Sequence, residues 1–113
     1  MARRTEETMI ERGSGNVFAD LGLPNPEERL AKASLASAIQ DVIELRGLTQ
    51  VQAASIMGID QPKVSKIIRG RLSEFSTERL LNYLIHLGVD VDIVIHKEPR
   101  QIQREGTISV AYV

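Results

Sequence analysis

The residues of this chain that could do chemistry are mainly amides and cations, and they crowd into one stretch. From Thr49 to Arg71 the sequence reads TQVQAASIMGIDQPKVSKIIRGR. Between Asp60 and Arg71 lie Lys63, Lys66, Arg69 and Arg71 against a single carboxylate. Cations and amides of this kind bind phosphates and read base edges, so the grouping suits nucleic-acid recognition. Groups for bond-breaking chemistry do not assemble in the same way. His86 and His96 are the only histidines, too few for a metal site of about four ligands. Asp90 and Asp92 share the pattern of a solvated strand face. There is no cysteine, no phosphate-cradling glycine loop and no nucleophile elbow. The expectation is a protein that is not an enzyme and needs neither cofactor nor metal.

Wound as a helix at about 100° per residue, the segment after Asp60 divides cleanly. Gln61, Pro62, Ser65, Lys66 and Arg69 share an arc of roughly 140°, while Val64, Ile67 and Ile68 gather opposite and Lys63 sits at the border. One side can pack on a core while the other offers an amide, a hydroxyl and cations to a DNA groove. A helix in the major groove touches bases mainly through its N-terminal residues. Gln61, Pro62, Ser65 and Lys66 are therefore expected to face bases, with Lys63 beside them. Arg69 and Arg71 lie past the groove end, where the phosphate backbone runs. Gln50 opens the preceding helix, where free N–H groups and the helix dipole attract a phosphate.

Other elements must hold that helix in place. Asn25, Pro26 and Glu28 form a helix start, and apolar residues continue with a 3.6 period from Leu30 through Leu45 to a stop at Gly47. Thr49 and Gln52 have capping-box spacing for a second helix, whose Ala53, Ala54 and Met57 point inward. Gly58 makes the turn, and Asp60 caps the third helix. Ser76 caps a fourth helix running to Leu87, with Phe75 and Leu80 as a hydrophobic staple. The period then changes to two. Val89, Val91, Ile93 and Ile95 read as one strand and Thr107–Val113 as another, joined through a polar loop from Pro99 to Gly106. A lone hairpin is marginal in water, so a second copy of the chain is expected to share the sheet.

Thr49–Arg71 resembles, without a gap, the XRE helix-turn-helix domains of lambda-type phage repressors. The initial Thr-Gln, the Ala-Ala pair, the turn glycine, Val64-Ser65 and the Ile-x-x-Gly ending carry the match. SGNVFADLGLPNPEE at Ser14–Glu28 and LSEFSTERLLNYLIHLGVDVDIVI at Leu72–Ile95 are similar to a bacterial XRE subgroup related to HigA-type antitoxins. The resemblance implies base reading by Gln61, Pro62 and Lys66, and phosphate binding by Gln50. It also implies a homodimer, repression of its own operon and neutralisation of a RelE-like ribonuclease toxin. Pro62 and Lys66 stand where many repressors carry amides, so no operator sequence follows.

The bulk figures fit one small domain. The chain has 113 residues, 42% of them hydrophobic, and a net charge of −1. Any basic footprint must therefore be local. No stretch has the length of a membrane span or the pattern of a secretory signal, which places the protein in the cytoplasm. The expected fold is mostly α: a lambda-repressor-like helix-turn-helix bundle of four to five helices with a C-terminal β-hairpin. An arm would occupy 1–24, the helix-turn-helix domain 25–88, and the hairpin, as a dimerisation element, 89–113. Its expected partners are double-stranded operator DNA, itself and a RelE-like toxin. The alternative reading is an antitoxin acting chiefly through protein contact.

Overall fold

A computed structural model describes residues 26–98 and 105–112. The expected arm, the cap at Asn25 and the loop start at Pro99 lie outside them. The described residues form four helices: α1 Pro26–Leu45, α2 Gln50–Met57, α3 Gln61–Ile68 and α4 Thr77–His86. α1 makes its widest contact with α4, and α2 with α3.

The boundaries follow from local chemistry. Thr49 and Gln52 close a reciprocal capping box: the Thr49 hydroxyl accepts from the Gln52 N–H at 3.1 Å, and the Thr49 N–H donates to the Gln52 side chain at 2.9 Å. Asp60 accepts from the Lys63 N–H at 3.0 Å, and Ser76 from the Arg79 N–H at 3.1 Å. Each cap satisfies a backbone donor that the first helical turn leaves without a carbonyl. All four helices stop the same way, with an N–H reaching back five residues: Leu48 to Ile43, Ile59 to Ala54, Arg71 to Lys66 and Val89 to Leu84. At the turn between α2 and α3 this bond requires the left-handed φ of +77° at Gly58, which a side chain would resist.

The core lies between the helices. Ile39, Ala53, Val64 and Leu80 are fully enclosed, with Met57, Ile67, Phe75 and Leu87 nearly so. Burying side chains of the larger kinds contributes about 1.5–3 kcal/mol each before entropy is charged against it. The Phe75 ring meets the edge of Tyr83 at 6.3 Å and 78°. Arg46 ties the end of α1 to the end of α4 by donating to the Leu87 carbonyl at 3.1 Å. Leu45 departs from the expected periodic face: it is 86% exposed.

Among the described residues the expected C-terminal β-hairpin does not form. None of them lies in a strand, and 89–98 and 105–112 carry no regular secondary structure. Val89, Val91 and Val110 pack partly against the helical core, while Ile93, Val94, Ile95 and Ile108 are exposed. The Tyr112 hydroxyl donates to the Ser34 carbonyl of α1. The segments thus gain contact with the bundle by side chains. A ladder would need each backbone edge paired with the other, and two strands alone yield little. The fold is a helix-turn-helix bundle with irregular segments laid on it.

Candidate nucleic-acid interface

Helix α3 is held from beneath by Val64 and Ile67, both buried, and flanked by half-buried Ile68. Its outer surface presents exposed Gln61 and Pro62 beside half-buried Lys63, Ser65 and Lys66. Arg69 and Arg71 are exposed just past its end. Seven of the eight expected site residues thus lie on α3 or immediately after it, and the eighth, half-buried Gln50, opens α2.

The structure joins Gln50 to Gln61. The Gln61 amide nitrogen donates to the Gln50 amide oxygen across the gap between α2 and α3. This bond uses one of the two Gln61 N–H donors and leaves the second N–H and the carbonyl oxygen available. One donor and one acceptor in a plane is the pattern that pairs with the N7 and N6 edge of adenine. The same bond occupies the Gln50 oxygen, so the free end of Gln50 is its NH2 group, a donor. That group sits at the first turn of α2, whose N–H groups and dipole favour an anion. One hydrogen bond therefore fixes the two amides relative to each other across the turn.

The other residues are brought together less tightly. Arg69 folds back, its Nε donating to the Ser65 carbonyl at 3.3 Å, which lays the guanidinium along the end of α3. Lys66 makes an ion pair with Glu74, Nζ to Oε2 at 2.8 Å, with both side chains a little over 40% exposed. Glu74 was absent from the residues expected at the site. It lies eight residues after Lys66 and beside the buried staple residue Phe75, and no local spacing rule marks a partner at that distance. Pro62 and Arg71 are exposed and Lys63 is half-buried. Among the described residues no three His, Asp or Glu cluster as a metal site would require, and no helix is long and apolar enough to cross a membrane.

A helix-turn-helix domain family matches residues 17–96. A solved structure assigned to the XRE family of transcriptional regulators is 44% identical, with a TM-score of 0.70, over 80% of this chain and 100% of that one. This chain belongs to the XRE-type helix-turn-helix family of DNA-binding transcriptional regulators. No curated protein matches it. Both matches extend well beyond the two helices and the turn, so the family is carried by the whole bundle that positions α3.

Proposed function

We propose that this XRE-type protein is a sequence-specific repressor that acts as a homodimer on its own operator, without enzymatic activity, in the cytoplasm. The observation that carries the reading is the Gln50–Gln61 hydrogen bond. An exposed amide pair contributes little to the stability of a folded domain, yet it prepares two adjacent side chains for different parts of one DNA strand. Gln61, Pro62, Ser65 and Lys66 take the base-facing roles, with Lys63 at the groove edge. Gln50, Arg69 and Arg71 take phosphates. Residues 25–88 form the DNA-binding unit and 89–113 the element that joins two copies. The exposed tract Ile93-Val94-Ile95 supports the second assignment, because apolar residues grouped at a surface favour a protein partner.

In the dimer each α3 enters one major groove, with half-sites centred about 34 Å apart. Incubating the protein with a random duplex pool, recovering bound DNA and sequencing it tests this directly. A two-fold-symmetric sequence is the expected result. Absence of any enriched sequence, together with no gel shift on the upstream DNA at micromolar protein and low salt, overturns it.

The same apolar tract supports a second reading, an antitoxin that neutralises a RelE-like toxin by protein contact. Co-expression with a small basic RelE-like neighbour encoded beside it, followed by co-purification, supports that reading. Failure to relieve the neighbour's toxicity removes it.

A further inference from the structure

We propose that Glu74 is a positioning residue for Lys66, which makes Lys66 a reader of bases in place of a general phosphate contact. The proposal rests on the DNA-binding reading above and adds to it a residue that sets specificity. Its basis is the 2.8 Å pair between Lys66 Nζ and Glu74 Oε2, and the way Glu74 is held.

Glu74 is no loosely tethered surface carboxylate. It lies in the short link between the end of α3 and the cap of α4. The next residue, Phe75, is 1% exposed, and its N–H donates to the Leu72 carbonyl at 3.0 Å. Ser76, one further on, caps α4 through the Arg79 N–H. On the other side, the Arg71 N–H donates to the Lys66 carbonyl at 2.8 Å, tying the start of the link to the turn that carries Lys66. The backbone is thus pinned on both sides of Glu74, and its carboxylate is presented to the one cation of α3 that it meets.

Two consequences follow for DNA. An ammonium group has three donors; one is given to Glu74, and the two left can reach the O6 and N7 acceptors of a guanine. The pair is also neutral as a unit. Affinity for arbitrary DNA comes from cations that displace counterions from phosphates, and a lysine already neutralised by a fixed carboxylate contributes little to that term. Glu74 therefore lowers binding to unrelated sequences while holding Lys66 in one direction for the correct one. In a face that otherwise carries Lys63, Arg69 and Arg71, a carboxylate at this place improves discrimination at the expense of general affinity.

The test compares wild type, Glu74→Gln, Lys66→Met and the double variant by fluorescence anisotropy. The probes are a duplex selected by the protein from a random pool and a scrambled duplex of equal length, each between about 50 and 200 mM salt, where phosphate contacts dominate. Glu74→Gln is expected to tighten binding to the scrambled duplex by roughly five- to tenfold at low salt and to steepen its salt dependence by about one unit of slope. Affinity for the selected duplex changes much less, so the ratio between the two falls. In the Lys66→Met background the same glutamate change removes a charge but frees no ammonium, so it is expected to tighten both duplexes about equally and to leave the ratio between them unchanged. If the ratio still falls there, Glu74 touches a base itself, and the positioning role is wrong. If wild type selects a sequence and Glu74→Gln leaves the ratio unchanged, this proposal alone fails. If wild type selects nothing, the DNA-binding reading fails and takes this one with it.

Discussion

The Gln50–Gln61 pair yields the sharpest quantitative prediction, because its two members are expected to fail in different ways and to be coupled. Gln61→Ala removes the base-facing amide and costs about 1–3 kcal/mol at one base position in each half-site, a loss of roughly five- to 150-fold per half-site. It also relaxes the preference there. Gln50→Ala removes a neutral phosphate donor, so about 1 kcal/mol is lost on every sequence, with no change in salt slope because no charge is removed. Each single change also breaks the bond between them. In the free protein that bond is exposed to water and Gln61 lies at the surface, so stability shifts by no more than about 0.5 kcal/mol. At the DNA surface water is displaced, and the bond regains a worth of about 0.5–1.5 kcal/mol. The double variant should therefore bind better than the sum of the single losses implies, by that amount. A double-mutant cycle by anisotropy on the selected duplex measures it, with denaturant melts as the folding control. Losses that simply add, within about 0.3–0.5 kcal/mol, would refute the idea that the pair works as a unit.

Three further expectations concern separate parts of the molecule. Gly58→Ala places a Cβ at a φ of +77° with no atom within 4 Å of it; the cost is the backbone strain alone, about 1–2 kcal/mol by chemical denaturation, and a loss above about 4 kcal/mol would mean a steric clash that the geometry does not contain. Arg71→Ala, at an exposed position past the end of α3, should weaken all duplexes equally and flatten the salt slope by about one unit; a sequence-selective loss would move Arg71 into the base-reading set. Burial pushes the Tyr112 hydroxyl above its ordinary value and the Asp41 carboxylate adds to the rise, against opposing hydrogen bonds from Ser37 and the Ala38 backbone. A phenol whose folded pKa is raised contributes stability below its unfolded pKa of about 10 and loses it as pH climbs through the folded value, so wild type should lose more stability than Tyr112→Phe above about pH 10, and parallel curves would count against the docked hydroxyl.

Much of the bundle could be read from the sequence because its signals are local. Thr49 and Gln52, Asp60 and Ser76 act on backbone groups within three residues, so their meaning does not depend on the rest of the chain. The two faces of α3 follow from the helical period, and Val64 and Ile67 are buried where that period puts them. Leu45 shows the limit of the same reasoning. It is one more apolar residue of α1, but at about 100° per residue it stands roughly 160° around the helix from buried Ile43, and the side chain lies in solvent. Tyr83 fails in the opposite sense: its burial against Phe75 depends on a ring from the link before α4. Glu74 was missed for a related reason. Its partner is set by the path of that link, which no spacing encodes, and a lone carboxylate in a basic region reads as a solubilising charge.

The C-terminal segments show what a period of two can and cannot say. Alternation reports that two faces of an extended chain differ; it does not report what pairs with the edges. Val89, Val91 and Val110 do rest on the bundle, so part of the alternation was a true record of burial. It breaks at Ile93-Val94-Ile95, where three successive apolar side chains are 74%, 65% and 78% exposed. Single exposed apolar residues are ordinary, but three in a row favour a partner, and the proposed two-fold repressor needs one. Ile93→Asp with Ile95→Asp therefore separates folding from assembly. Neither side chain supports the core, so the melting midpoint should hold within the shift expected for about 0.5 kcal/mol. Sedimentation should change from dimer to monomer, and binding to the full operator should fall toward that of a single half-site, since the two recognition helices no longer arrive together. A variant that still sediments as a dimer would show that the copies meet elsewhere. A wild type that is monomeric at tens of micromolar would leave the tract to a different protein, which is the condition under which the antitoxin reading gains over the repressor.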